Sequence, residues 1–279
     1  MLPIRLVFVL FLIPSIVSSQ DLSVGQIEEK MLNSIAAITT LRYHFKSTER
    51  IGTDFKKAEQ HVKYAKKPLR FYVYSINPDK GAEVLYNPTL SKDKVYVYPN
   101  AFPYYSLYLD PNGSILRKGK HHTLFELGFD NFYGIMHYIK KNSASYKKDL
   151  KLEGNVMWNN RKCYKVTLNL SDYKIYSYTV NEGETVSSIA KKYYLNDYKI
   201  LELNNLSDYG ALKAGQKILL PNYYAKNITI YIDAENFLPV MQEMHDEKGL
   251  YERYEFLDLK VNGPIADEEF TTGFKGYRF

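Results

Sequence analysis

From Leu41 onward the chain alternates apolar and polar residues with a period of two: Leu41, Tyr43 and Phe45 against Arg42, His44 and Lys46. That period puts one set on each face of an extended strand, so the chain is committed to sheet with one wet face. Short runs of the same kind recur at 62–65, 69–75, 83–86, 94–98, 106–109 and 114–117, separated by turns such as Asn77-Pro78, Asn87-Pro88 and Asp110-Pro-Asn-Gly113. Closely spaced strands with this turn chemistry predict an antiparallel meander. Strands resume at 150–153, 156–158 and 161–170, and again at 228–233, 238–245 and 250–261. Tyrosine dominates the aromatics, 27 against 14 Phe and 1 Trp, which suits half-exposed sheet where a ring packs and its hydroxyl stays wet.

Two stretches carry the helical period instead. Ser23-Val-Gly-Gln26 offers a capping box, and Ile27, Met31, Ile35 and Ile38 form a stripe that predicts a helix to about Thr40. Thr123-Leu-Phe-Glu126 offers a second box, followed by Phe125, Phe129, Phe132, Met136 and Ile139, which predicts a helix ending near Asn142. Gly128 and Gly134 each weaken it by about 1 kcal/mol relative to Ala. The expected fold is α+β: an antiparallel sheet with two packed helices.

Residues 1–19 read as a signal peptide: Arg5, an apolar run over 6–17, and small residues Val17-Ser18-Ser19 before Gln20. The run is shorter than the roughly 20 residues that span a bilayer, and no later segment is apolar enough, so no transmembrane segment is expected. The expectation is export to the periplasm or cell envelope, with cleavage near Ser19. The single Cys163 excludes an intramolecular disulfide and reads as a packed residue. The net charge of +6 is dispersed rather than gathered into a stripe, which argues against nucleic acid as a partner.

Between 161–170 and 228–233 the strand pattern is interrupted. Tyr176 to Val180 reads as a strand, Asn181-Glu-Gly183 as a turn, and Thr185 as a cap for a helix carrying Val186, Ile189, Ala190 and Tyr193. A second helix over 197–204 and a strand over 217–220 complete a βααβ order. Over residues 178–221 this segment resembles the LysM family, through Tyr178-Thr-Val180, Gly183-Glu-Thr-Val186, Ile189-Ala190, Leu203-Asn-Asn-Leu206, Gly215-Gln216 and the stretch 218–221. Glu184 and Val186 stand where the family more often has Asp and Leu. The resemblance implies a shallow groove for N-acetylglucosamine-containing glycan, peptidoglycan or a chitin-like oligosaccharide, lined by Gly183, Glu184, Thr185, Val186, Asn205, Leu206 and Ser207. Gly183 lets backbone approach a sugar, Thr185 and Asn205 offer hydrogen bonds, and Asn204 holds the loop. The domains expected are 176–224 for this module and 20–175 plus 225–279 for a discontinuous outer domain.

The outer part resembles a domain-of-unknown-function family of secreted bacterial proteins (domain of unknown function 1571), through Lys80-Gly-Ala-Glu-Val-Leu-Tyr86, Asp110-Pro-Asn-Gly113 and the stretch 121–129. More distantly, Asp233-Ala-Glu-Asn-Phe-Leu-Pro239 with Glu247-Lys-Gly249 is similar to the closing hairpin of outer-membrane lipoprotein carriers, which implies a curved antiparallel sheet packed against the two helices, and lipid or lipoprotein as an alternative ligand. His121 and His122 precede a capped helix without partners at metal-ligand or catalytic spacing; they form a motif of unknown role, with packing at the helix entrance as the simplest one. Asp267-Glu-Glu269 reads as an exposed cap. No nucleophilic Cys/His pair, HExxH run or nucleophile elbow is present, so neither an enzyme, a metal site nor a cofactor is expected, and a cell-wall hydrolase is the least favoured alternative.

Overall fold

The computed structural model describes residues 22–210 and 212–279; the signal peptide expected over 1–19 lies outside the described residues. Helix α1 (Val24–Ala36) opens on the Ser23/Gln26 capping box and buries Ile27, Met31, Leu32 and Ile35. It stops four residues before the expected Thr40. The Asn262 side chain accepts from Thr39 N–H at 2.7 Å and donates to Ala37 O at 3.0 Å, drawing 37–39 into the sheet's entry instead.

Strands β1 (Thr40–Ile51), β2 (Asp54–Ala65), β3 (Arg70–Asn77), β4 (Glu83–Tyr86), β5 (Val95–Tyr98) and β6 (Leu107–Leu109) follow as an antiparallel meander. The run expected as a strand at 114–117 is a helical turn, α2 (Ser114–Arg117), closed by Arg117 N–H on Gly113 O at 3.1 Å. Four residues carry too little pattern to separate the two periods. The second capping box forms, yet it encloses only a 3-10 turn, Leu124–Glu126. Gly128 then takes a left-handed φ of 87° and gives its N–H to Tyr43 Oη at 3.3 Å, so the main helix α3 (Asp130–Asn142) starts later than expected.

After α4 (Tyr146–Asp149) come β7 (Leu150–Trp158) and β8 (Arg161–Asn169). The gap expected between strands 150–153 and 156–158 is absent: Gly154 sits at a bulge that leaves β7 continuous. The chain then runs through β9 (Ile175–Thr179), α5 (Val186–Tyr193), α6 (Asp197–Asn204) and β10 (Lys217–Pro221) before β11 (Asn227–Asp233), β12 (Pro239–Asp246) and β13 (Gly249–Val261). Eleven strands form one open, curved sheet in the order β6-β5-β4-β3-β2-β1-β13-β12-β11-β8-β7, while β9 and β10 pair only with each other. β8 and β11 are direct neighbours, Asn169 opposite Asn227, so the chain leaves the sheet and re-enters it beside its point of departure.

Helices α1 and α3 pack on one face of the sheet, over Tyr43, Val62, Phe71, Ile230 and Phe256. Each fully buried side chain of this kind contributes about 1.5–3 kcal/mol of burial. On the other face, Phe270 and Tyr277 from the last residues close over Tyr72 and Leu85, with Tyr72 and Tyr277 stacked at 3.8 Å. Segment 176–224 has a core of its own: Val180, Val186, Ile189, Leu195, Ile200, Ile218 and Leu220. The expected fold class, a curved antiparallel sheet with two packed helices and a small βααβ unit, is the one observed.

Candidate functional site

The βααβ unit brings two loops side by side. Val186 N–H donates to Gly210 O at 3.4 Å and Leu212 N–H to Glu184 O at 3.2 Å, lacing the turn before α5 to the loop after α6. Gly183 is exposed at φ 75°, and Asn205 is exposed in the left-handed conformation that ends α6. Ser207 is exposed beside it, and Leu206 half-buries against the module core. The other candidates face inward. Val186 is fully buried, and Thr185 caps α5 by accepting from Ser188 N–H at 3.0 Å. Glu184 takes the N–H of Asn181 at 2.9 Å and the Tyr178 hydroxyl, and pairs with Lys192 at 3.1 Å. The Asn181 N–H, aided by Tyr178 and Lys192, holds its carboxyl at about 2. Asn204 bridges to Leu219 in both directions, donating to its O at 2.8 Å and accepting from its N–H at 2.7 Å.

His121 and His122 lie where this unit meets the sheet. His121 is 1% exposed, stacked on Tyr251 at 4.1 Å. Its ring nitrogens face Glu252 and Arg50 O, each at 2.9 Å, and its backbone N–H donates to Glu49 at 2.9 Å. His122 meets Glu126 at 3.2 Å, the Tyr224 hydroxyl at 3.0 Å and Glu252 at 3.5 Å. Burial pulls its imidazole down, but the charge of Glu252 and the hydrogen bond to Glu126 raise it well above its ordinary value. Burial pushes Glu252 up, and the His122 charge with the hydrogen bonds from both histidines overcomes that and holds it at about 2. Glu49 and Glu252 are cross-strand partners; the repulsion expected of like charges there is relieved by His121 and by Tyr254, whose hydroxyl donates to Glu49 at 2.7 Å.

The same network fastens segment 176–224. Asn196, which caps α6, donates to the Tyr224 hydroxyl and accepts from the Tyr251 hydroxyl, both at 3.0 Å. Asp197 pairs with Arg117 at 2.6 Å, and the 1% exposed Lys199 pairs with Asp246 and Glu247, both at 2.6 Å. Around this joint lie two spaces. One, of about 80 Å³, lies between α3 and the sheet, lined by Phe45, Ile135, Met244 and Phe256 with His122 at one end. That is about half the volume of an engineered apolar cavity that takes up benzene, about 150 Å³. The other is a cleft of about 610 Å³, lined by both polar and apolar groups, between residues 112–131 and helix α5 with the turn that follows it.

Two further candidates resolve as structural. Burial pushes the Cys163 thiol up to about 11, away from thiolate chemistry. Glu269, expected in an exposed cap, instead folds in to pair with Arg42 at 2.6 Å and Lys63 at 2.7 Å. Among the described residues, no group of three or more His, Cys, Asp or Glu is placed to hold a metal, and no helix is long and apolar enough to cross a membrane.

Residues 38–180, just over half of the chain, match the family described as protein of unknown function DUF1571. The chain belongs to that family. In this DUF1571 protein, residues 178–221 match the LysM domain. Among solved structures, LprF from Mycobacterium bovis is similar with a TM-score of 0.43 at 11% identity, over 87% of this chain and 94% of that one. The lipoprotein LppX from Mycobacterium tuberculosis gives 0.41 at 13%, over 87% and 97%. A LolA superfamily protein from Nitrosomonas europaea gives 0.34 at 11%, over 90% and 98%. No curated protein matches.

The sequence named the histidines of the DUF1571 protein but not their partners Glu49, Glu252, Tyr224 and Asn196. A signal exists for two of them. Glu49 follows Leu41, Tyr43 and Phe45 on the inward parity of β1, and Glu252 shares a face with Tyr254 and Phe256 on β13. A carboxylate on an apolar face must find a partner.

Proposed function

We propose that the protein is exported, with residues 1–19 as its signal peptide, and docks without enzymatic activity on peptidoglycan in the cell envelope. The docking unit is residues 176–224; the outer domain is residues 20–175 plus 225–279. The observation that carries this reading is the LysM match at 178–221 on a unit whose two glycan-side loops are laced together. Gly183, Asn205 and Ser207 offer backbone and short polar groups at the exposed surface, while Glu184, Thr185, Val186 and Leu206 fix the shape beneath. A shallow sugar site needs that division, because a few pre-placed donors and acceptors give affinity only when the loops carrying them are already ordered.

The test is co-sedimentation of the secreted chain with purified peptidoglycan beside an established LysM control. Binding is expected, and Ser207→Trp, which covers the exposed loop, should weaken it about tenfold or more. A protein that stays in the supernatant while the control pellets ends this reading.

A further inference from the structure

The cleft of about 610 Å³ lies between the two parts of the chain and takes no part in the groove described above. One wall is Asn112, Arg117, Thr123, Phe125 and Asn131; the other is Ser187, Lys191, Tyr194 and Asp197. It adjoins the glycan loops at two points. Ser187 follows Val186 in the first turn of α5, and Arg117 stacks at 4.1 Å on Tyr209 from the loop after α6. The walls are tied together by the Arg117–Asp197 pair at 2.6 Å and by Asn196, which donates to His121 O at 3.4 Å.

We infer that this cleft is a second saccharide site, continuing the LysM groove so that one glycan chain is gripped by both parts of the protein. The inference rests on the glycan-docking reading. Its chemistry comes from the walls. Tyr194 is 43% exposed and offers aromatic surface for the CH face of a pyranose, and Phe125, half-buried in T-shaped contact with Tyr86 at 5.0 Å, adds an apolar edge to the lining. Asn112, Asn131, Thr123 and Ser187 supply neutral donors and acceptors for hydroxyls and an acetamide. The charges are largely spent within the protein: Arg117 on Asp197, and His122 on Glu126 and Glu252. A strongly charged peptide would find one exposed cation, Lys191, and otherwise closed pairs. A neutral sugar chain matches that inventory better.

Titration calorimetry of the secreted chain against N-acetylglucosamine oligomers, from dimer to octamer, tests this. Affinity should rise about tenfold or more once an oligomer reaches from groove to cleft. Asn112→Trp and Lys191→Trp, one exposed position on each wall, should abolish that rise while changing the shortest ligand's affinity by less than about twofold. A length dependence that is absent, or that survives both substitutions, overturns this site and leaves the docking reading standing. Absence of binding at every length overturns both. Muropeptide binding that responds to the two tryptophans, when oligomer binding does not, assigns the cleft to peptide and overturns the saccharide class.

Discussion

Tyr194 closes onto Gly134: a Cβ built on this glycine of α3 would lie 2.7 Å from Tyr194 Cδ1 and overlap the ring further at Cε1. Tyr194 ends α5 in the left-handed conformation, so the contact ties the βααβ unit to the helix that covers the sheet.

Gly134→Ala therefore meets two opposed effects. Alanine favours the helix by about 1 kcal/mol, while its methyl displaces the tyrosine ring. Tyr194→Ala removes the obstacle. A double-mutant cycle by thermal denaturation should show Gly134→Ala stabilising in the Tyr194→Ala background and losing that benefit when Tyr194 is present, with coupling of about 1 kcal/mol. Additive effects would mean the ring moves aside freely.

Lys199 carries the other side of the joint. Replacing it by Met leaves Asp246, Glu247 and Glu202 with one fewer cation in a site where Lys199 and Asp246 side chains are each only 2% exposed. Breaking a buried pair from one side costs about 3–5 kcal/mol. Urea denaturation of Lys199→Met should show a loss in that range. A loss below about 1 kcal/mol would be that of a solvated surface pair.

These joints explain what the sequence could and could not say. The period of two in β1 and the helical stripes of α1, α5 and α6 follow from side-chain direction alone, so the sheet and the βααβ order were legible. Gly134 was legible only as a weak point in a helix, because its cause is a tyrosine 60 residues away. The Thr123 capping box was also real, but Gly128 at φ 87° ends its turn, and that is set by tertiary contact with Tyr43. At the site, turn glycines and caps could be read locally. The network of His121, His122, Glu49 and Glu252 could not, since its members come from three separate stretches of chain.

Asn204 offers a direct link between loop order and binding. Its amide makes a bidentate bridge to the Leu219 backbone and so fixes the start of the loop that holds Asn205 and Ser207. Asn204→Ala leaves those backbone groups without their partner, which costs about 1–3 kcal/mol where they are shielded from water. Both the melting temperature and peptidoglycan affinity should fall. Lost affinity at unchanged stability would instead make Asn204 a sugar contact.

The dependence of stability on pH follows from His122 and Glu252. The folded state raises the His122 imidazole above its ordinary 6.5, so its contribution is complete below that value and is lost as pH climbs through the folded one. Glu252 behaves oppositely. Its carboxyl falls from 4.5 to about 2, so its contribution is complete above 4.5 and disappears as pH drops toward 2. Asp246 and Glu269, also held at about 2, steepen the acid limb. Stability should therefore peak between about pH 4.5 and 6.5 and decline on the alkaline side. Calorimetric melting from pH 3 to 9 checks the shape, and His122→Gln assigns it. Without the imidazolium the alkaline decline should flatten, and Glu252, having lost its main counter-charge, should begin to fail at higher pH on the acid side. A wild-type melting temperature that rises from pH 6.5 to 8, or an alkaline slope unchanged by His122→Gln, would place the proton elsewhere.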